Sequence, residues 1–216
     1  MNTMGTQVKI CGITSVEVAR ACVEAGATAI GLVFYPQSSR YISVEKAAEL
    51  AASLPPFVQV VGLFLDASME EINFTLRHVP LTLLQFHGQE SVKFCESFNR
   101  PYIKSVGLGQ PIDILTYIET YQSARGFLLD SNTHGAPGGS GHTFDWTTIP
   151  NRIRNSIILA GGLNVTNVAE AIRQIKPYAV DVSSGVEKTR GVKDIALIKA
   201  FIQEIKRVDN ELKSGN

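Results

Sequence analysis

A closed α/β barrel of eight parallel strands is the fold that the sequence predicts, and three observations lead to it. Short apolar segments alternate with longer amphipathic ones, and eight such pairs follow one another. Several short segments are apolar nearly throughout, as in 29–35 (AIGLVFY), which is typical of parallel strands buried on both faces. The 216 residues suit one domain better than two. The prediction is therefore a (β/α)8 TIM barrel.

Turn and capping residues set the limits of the predicted elements. Gly26 ends the first helix, Pro55 and Pro56 end the second, and Ser68 with Glu71 forms a capping box for the third. Strands are predicted at 8–11, 29–35, 58–65, 81–87, 102–106, 126–130, 156–160 and 178–182. Helices are predicted at 16–25, 44–53, 68–78, 90–98, 112–121, 164–175 (capped by Asn164) and 194–208, with a brief helix at 144–148 and a polar loop at 131–142.

The whole chain, residues 1–216, is expected to form one barrel domain with frayed ends at 1–7 and 209–216. A doubly wound open sheet is the rival architecture, because it also alternates strands and helices. Such sheets normally have fewer strands and often a glycine-rich first turn, whereas the first turn here is CGIT at 11–14. The number of strands favours the barrel.

Composition and charge argue against several classes of function. Twenty Lys and Arg residues balance twenty Asp and Glu residues, so nothing favours nucleic acid or an anionic membrane as a partner. No apolar run is long enough for a membrane span, and the N-terminus does not resemble a signal peptide. Three cysteines without a CxxC motif indicate a reducing compartment. We therefore expect a cytoplasmic protein that acts on a small molecule.

Candidate catalytic residues lie where predicted strands end, because barrels carry their active sites at the C-terminal ends of the strands. Cys11, His87 and Asp130 end the first, fourth and sixth strands. Side chains alternate along a strand, so Lys9 lies one layer below Cys11 and also points inward. A buried lysine needs a counter-charge, and Asp181 on the neighbouring eighth strand is the predicted partner.

Glycine-rich turns follow the seventh and eighth strands. Gly161-Gly162 ends the seventh strand and Ser184-Gly185 follows the eighth, each ahead of a predicted helix. Backbone N–H groups in such turns bind phosphate, and barrels often place a phosphate site here. The alternative is that the glycines only permit tight turns. Because the two turns lie on neighbouring strands, we favour a phosphate group on the substrate.

Each remaining candidate has a structural alternative. Cys11 could be a small buried apolar residue, Asp130 a loop cap, Arg40 a surface residue and His87 a group that satisfies core hydrogen bonds. In functional terms, Asp130 would be a general acid whose pKa is raised by partial desolvation. Cys11 would be a base if a cation such as Lys9 lowered its pKa. Arg40 would direct its fork at a carboxylate.

Six motifs, in this order along the chain, resemble one known family. They are KICGIT at 9–14, GLVFYPQSSRYIS at 31–43, LLQFHGQE at 83–90, Asp130 with GGSGHTFDW at 138–146, LAGGLN at 159–164 and VDVSSGVE at 180–187. Over residues 8–201 the chain is similar to phosphoribosylanthranilate isomerase of tryptophan biosynthesis. The family's Ser-Pro-Arg is Ser38-Ser39-Arg40 here, which keeps the arginine.

The resemblance implies an Amadori rearrangement of N-(5-phosphoribosyl)anthranilate to 1-(2-carboxyphenylamino)-1-deoxyribulose 5-phosphate. Asp130 is then the general acid that opens the ribose ring to a Schiff base, and Cys11 the general base that removes the C2 proton. Arg40 is similar to the residue that holds the anthranilate carboxylate. The remaining substrate-binding candidates are His87, Gly161, Gly162, Asp181, Ser184 and Gly185. No metal or redox cofactor is expected, and the protein would be a monomer or a homodimer.

The residues alone leave other functions open. A barrel for phosphorylated sugars could be an epimerase or an aldolase-like lyase, but these usually need a metal cluster or a strand-end lysine. A histidine-pathway isomerase would be expected to show two similar half-barrels, and the chain has no such repeat. A barrel that only binds a phosphorylated ligand would need neither Cys11 nor Asp130.

Overall fold

Eight parallel strands close into a barrel in the computed structural model, which describes residues 5–109, 112–131 and 144–214. The strands follow chain order around the barrel, and β1 pairs with both β2 and β8. The predicted (β/α)8 barrel is therefore confirmed, with strand limits that differ from the prediction by one or two residues. Strands β1 to β8 are Gln7–Cys11, Ala29–Val33, Gln59–Phe64, Leu83–Phe86, Tyr102–Gly107, Gly126–Asp130, Ile157–Leu159 and Ala179–Val182.

Helices surround the barrel and bury their apolar faces against it. The Ser68–Glu71 capping box is confirmed, because Ser68 Oγ accepts from Glu71 N and Glu71 Oε2 accepts from Ser68 N. Among the described residues, no helix is long and apolar enough to cross a membrane. Helices α1 to α7 are Val16–Ala25, Val44–Ala52, Met69–His78, Val92–Glu96, Ile114–Thr120, Val168–Ile175 and Ile195–Ser214.

Two connections on either side of β7 differ from the prediction. The segment before β7 contains 3-10 helices at Trp146–Thr148 and Asn151–Ser156, of which only the first was predicted. After β7, Asn164 does not cap α6, which begins four residues later at Val168. Asn164 Oδ1 accepts from Thr166 N at 2.8 Å and from Asn167 N at 3.2 Å, so it closes a separate turn first. Of the predicted loop 131–142, only Ser131 is among the described residues.

The connection from β8 to α7 contains an antiparallel hairpin that was not predicted. A 3-10 turn at Ser184–Val186 leads into β9 (Glu187–Thr189), which pairs with β10 (Val192–Lys193) before α7 begins. Strands of three and two residues are too short to produce a recognisable alternation of apolar and polar residues. The hairpin brings Glu187 and Lys193 against the barrel mouth.

Regular structure reaches into both segments that the sequence predicts to be frayed, 1–7 and 209–216, within the residues that the structure describes. Thr6 donates from its N and its Oγ1 to the carboxylate of Asp209, both at 2.7 Å. Helix α7 continues past Val208, which is fully buried, to Ser214. The predicted end of the last helix at residue 208 is therefore too early, because it was placed where the apolar stripe ends.

Candidate active site

A cavity opens at the C-terminal ends of the strands and collects most of the predicted site residues. Its lining includes Cys11, Arg40, His87, Asp130 and Asp181. These side chains come from five separate strands or strand-end loops, so the closed barrel is what brings them together. The placement agrees with the prediction that the strand ends form the functional rim.

The buried ion pair predicted between Lys9 and Asp181 is present. The two residues are register partners on β1 and β8, and Lys9 Nζ donates to Asp181 Oδ1 at 2.9 Å. Burial by itself lowers the pKa of Lys9, but the Asp181 carboxylate and, after it, Cys11 more than compensate, and the pKa is raised. Lys9 is therefore a fixed positive charge one layer below Cys11.

The thiol of Cys11 does not have the lowered pKa that the sequence analysis attributed to Lys9. Burial raises the pKa of Cys11, the charge of Lys9 opposes that rise, and Asp181 reinforces it. Desolvation wins because the thiol is only 5% exposed and Asp181 cancels much of the Lys9 charge. The raised pKa keeps Cys11 a neutral thiol at pH 7. Cys22 and Cys95 are core residues, where burial raises the thiol pKa values to about 12.

Asp130 occupies the last position of β6 and is buried. Ser131 Oγ donates to Asp130 Oδ1 at 3.4 Å. Asp130 borders both the central cavity and a second depression lined by Gly161, Gly162 and Ser184. A group held in that depression would thus lie beside the carboxyl of Asp130.

The two glycine-rich turns form this second depression, but not in the way that was predicted. Gly161 and Gly162 have φ values of 81° and 66°, a region that favours glycine. A Cβ at Gly185 would overlap the carbonyl oxygen of Leu163, so the turns after β7 and β8 pack backbone to backbone. Neither turn leads directly into an α-helix, since a turn and a hairpin intervene. Without the N-terminus of an α-helix at either turn, the turns themselves offer a phosphate their backbone N–H groups.

Arg40 is buried at 6% exposure, which excludes the surface alternative. Its Nε donates to Glu187 Oε1 at 2.7 Å and its Nη2 to Glu187 Oε2 at 2.9 Å. The Arg40 guanidinium therefore binds a carboxylate with two hydrogen bonds, as expected, but this carboxylate belongs to the protein. Burial raises the pKa of Glu187, but hydrogen bonds from Arg40 and Lys193 outweigh it and lower the pKa to about 2.

His87 is held in its neutral form at the mouth of β4. Its Nδ1 lies 2.8 Å from Ser105 Oγ and 3.3 Å from Gln85 Nε2. Burial, together with the charges of Lys9 and Lys104, lowers the pKa of His87 to about 4. His87 thus satisfies core hydrogen bonds, as one alternative proposed, and also faces the cavity.

Sequence reasoning missed Glu187 and Lys193. Glu187 belongs to the 180–187 motif, but its contact with Arg40 joins residues 147 positions apart. The 2.8 Å pair between Lys193 and Glu187 depends on the unpredicted hairpin. A buried arginine needs a carboxylate partner, so burial of Arg40 would have pointed to one. The sequence favoured a surface position for Arg40, and the partner was therefore not sought.

Comparison with known proteins decides the family. The profile of the N-(5'-phosphoribosyl)anthranilate (PRA) isomerase family matches residues 8–204. The chain belongs to this isomerase family. A relative from Pseudomonas fluorescens (strain SBW25) named N-(5'-phosphoribosyl)anthranilate isomerase is 54% identical over 198 residues, which are 92% of this chain and 94% of the relative.

Two solved structures of phosphoribosylanthranilate isomerases resemble the barrel closely. One is a complex with reduced 1-(o-carboxyphenylamino)-1-deoxyribulose 5-phosphate, with a TM-score of 0.81 and 41% identity over 94% of this chain and 99% of that one. The other contains monomers of the dimeric isomerase from Thermotoga maritima, with a TM-score of 0.81 and 39% identity over 94% and 99% of the chains. The family resemblance seen in the motifs is confirmed.

Proposed function

We propose that Cys11 and Asp130 are the base and the acid with which this isomerase converts N-(5-phosphoribosyl)anthranilate to 1-(2-carboxyphenylamino)-1-deoxyribulose 5-phosphate in tryptophan biosynthesis. The observation that carries the proposal is one cavity that combines a thiol, a carboxyl and a guanidinium next to two glycine-rich turns. These groups match the needs of a substrate with a phosphate, a ribose ring and an aryl carboxylate.

The first step opens the ribose ring. Asp130 donates a proton to the ring oxygen while the C1–O bond breaks and the nitrogen lone pair forms a C1=N bond. The sugar is then an open-chain cationic Schiff base. Because the Asp130 carboxyl borders the glycine-lined depression, a phosphate bound there would hold the sugar beside the acid.

The second step moves the C2 proton. The thiolate of Cys11 takes this proton, and the C2–H electron pair forms a C1=C2 bond while the nitrogen recovers its lone pair. The resulting enolamine then tautomerises to the ketone. The raised pKa of Cys11 means that its thiol must first release a proton to solvent, and the positive charge of the Schiff base favours this ionisation in the complex.

The two ends of the substrate are assigned to opposite sides of the mouth. The phosphate would be held by backbone N–H groups near Gly161, Gly162 and Ser184, with Gly185 permitting the close packing of the two turns. The aryl carboxylate would be held by Arg40. His87 and Asp181 line the cavity between them and are proposed to hydrogen-bond the sugar.

The direct test is an assay that generates phosphoribosylanthranilate in situ and follows the loss of its fluorescence. We expect turnover by the purified protein and loss of turnover in Cys11→Ala and Asp130→Asn. Purified protein with no turnover, or either variant with full turnover, would refute the assignment. Cys95→Ala is the matched control, since Cys95 is buried in the core away from the cavity.

We also propose that the protein is a homodimer in the cytoplasm, joined through the N-terminal ends of its strands. A cavity of about 470 Å³ opens there, and Phe57 at its rim is 96% exposed. An exposed aromatic side chain next to an open cavity fits reciprocal insertion between two copies. A related isomerase is dimeric. The three buried free cysteines suit a reducing compartment.

Sedimentation equilibrium tests the assembly. We expect a dimer for the unmodified chain and a monomer for Phe57→Glu. Phe74→Glu, at a partly exposed aromatic position on α3, should leave the dimer intact. A monomeric unmodified chain would contradict the proposal.

A further inference from the structure

A buried cluster of three charged residues lies beside the cavity and is centred on Glu187. Its Oε1 accepts from Arg40 Nε at 2.7 Å and from Lys193 Nζ at 2.8 Å. Its Oε2 accepts from Arg40 Nη2 at 2.9 Å and from Gly191 N at 3.1 Å. The side chains of Arg40, Glu187 and Lys193 are 8%, 4% and 3% exposed. The cluster is thus fully hydrogen-bonded around its single carboxylate.

Lys193 connects this cluster to the strand end that faces Cys11. Its Nζ also donates to Ser183 O at 2.9 Å and to Ser183 Oγ at 3.1 Å. Ser183 Oγ in turn donates to the backbone carbonyl of Cys11 at 3.0 Å. The position of Arg40 is therefore tied, through Glu187, Lys193 and Ser183, to the backbone of the candidate base.

The hydrogen bonds to Glu187 determine which edge of the Arg40 guanidinium group is available to a ligand. A guanidinium group has two edges that can bind a carboxylate with two hydrogen bonds. Glu187 occupies the edge formed by Nε and Nη2, which fixes the plane of the group. The edge formed by Nη1 and Nη2 is then the one directed away from Glu187, and Arg40 lines the cavity.

The charges explain why one internal carboxylate does not abolish the attraction for another. Arg40 and Lys193 contribute two positive charges and Glu187 one negative charge, so the cluster carries a net charge of +1. An isolated Arg40–Glu187 pair would be neutral and would attract an anion weakly. Lys193 restores the positive charge at a place where little water can screen it.

We propose that Glu187 is a positioning residue that aims Arg40 at the substrate's aryl carboxylate, and that Lys193 holds Glu187 and supplies the net positive charge. The inference rests on the proposed role of Arg40. Its consequence is that selectivity for a carboxylated aryl amine depends on the hairpin after β8, although no part of that hairpin needs to touch the substrate.

A merely structural role for the cluster would have different consequences. If Glu187 only anchored the hairpin, its replacement would affect carboxylated and uncarboxylated ligands to the same extent. The experiment therefore compares the product, 1-(2-carboxyphenylamino)-1-deoxyribulose 5-phosphate, with the phenylamino compound that lacks the carboxyl. Binding of both is measured by calorimetry, and KM and kcat are measured separately with phosphoribosylanthranilate.

For Glu187→Gln we expect KM to rise by about tenfold or more, with a much smaller change in kcat. The net charge of the cluster becomes +2, but a misaligned Arg40 loses a charge-assisted hydrogen bond to the substrate, and this loss outweighs the added attraction. Affinity for the carboxylated product should fall equally, while affinity for the uncarboxylated compound stays the same. Lys193→Met should show the same selectivity. Glu187→Asp keeps the charge but shortens the side chain, and it serves as the second variant if Glu187→Gln does not fold.

The outcomes separate this inference from the proposed function. In an Arg40→Ala background, Glu187→Gln should weaken product binding no further. If Arg40→Ala weakens carboxylate binding and neither Glu187 variant does, the positioning role is overturned while the function stands. Equal losses for both ligands in the Glu187 variants would also overturn it. If Arg40→Ala itself has no effect on carboxylate binding, the proposed role of Arg40 fails first.

Discussion

Nζ of Lys9 lies 2.9 Å from Oδ1 of Asp181, and this contact joins the first and last strands of the barrel beneath Cys11. The side chains are 5% and 10% exposed, so each charge depends on the other rather than on water. Removing one partner of such a pair typically costs about 3–5 kcal/mol, because the other charge is left buried and uncompensated. The pair therefore affects both the stability of the barrel and the ionisation of the thiol above it.

The pKa of Cys11 should respond in opposite directions to the loss of these two charges. Asp181→Asn removes a group that raises it and should lower the pKa, whereas Lys9→Met removes a group that lowers it and should raise the pKa further. The rate of iodoacetamide alkylation at Cys11, followed by mass spectrometry of the Cys11 peptide against pH, measures both. Cys95, in the same digest, is the internal control. Shifts of the same sign in the two variants would contradict the electrostatic account.

Loss of either proposed catalytic group should reduce kcat far more than substrate binding. We expect Cys11→Ala and Asp130→Asn to lower kcat by about 10²- to 10⁴-fold each, the usual contribution of acid–base catalysis. Both side chains are buried, and neither replacement is larger than the residue it replaces, so binding of the product should persist in calorimetry. A variant that loses product binding and kcat together would indicate a structural rather than a catalytic defect.

His87 should remain uncharged over the pH range in which the enzyme works. Its folded pKa of about 4 lies below the ordinary histidine value of 6.5, so the unfolded chain takes up the proton first. Its contribution to stability is complete above pH 6.5 and decreases as the pH falls towards about 4. A histidine NMR titration should show one ring with a pKa near 4, and it should disappear in His87→Asn. A His87 pKa near the ordinary value would rule out the desolvated imidazole.

The acid stability of the protein should depend on Glu187. Its folded pKa of about 2 lies below the ordinary glutamate value of 4.5, so its contribution to stability is complete above about pH 5 and is lost as the pH falls towards 2. The difference corresponds to about 3 kcal/mol at about 1.4 kcal/mol per pKa unit. Urea unfolding at several pH values should show Glu187→Gln less stable at neutral pH, with the gap closing in acid. If the difference in unfolding free energy between the two proteins did not change with pH, the charge of Glu187 would not be its cause.

The parts of the site that follow from strand geometry could be predicted from the sequence. Lys9 and Asp181 pair because neighbouring strands with alternating side chains face each other, and both facts can be inferred from the order of the strands. Cys11, His87 and Asp130 reach the rim for the same reason. Their positions could be predicted from the number of strands and from the alternation of side chains along each strand.

The remaining parts depend on contacts that have no local pattern. Arg40 and Glu187 lie in connections far apart in the chain, and the hairpin that carries Glu187 has strands too short to show a period. The pKa of Cys11 is a sum of opposing contributions from burial and from charged neighbours. Its sign therefore requires the degree of burial, which the sequence does not contain. The proton-transfer roles proposed for Cys11 and Asp130 came from the family resemblance, whereas the electrostatics around Cys11 came from the structure.

The overlap between a Cβ at Gly185 and the carbonyl of Leu163 has a consequence for how such a barrel can diversify. The turns after β7 and β8 touch through their backbones, so a side chain added to one displaces the other. A library that randomises only the later turn should return few folded members, and those would retain glycine at 185. A change in which anion binds at this end of the barrel would then require both turns to be replaced together.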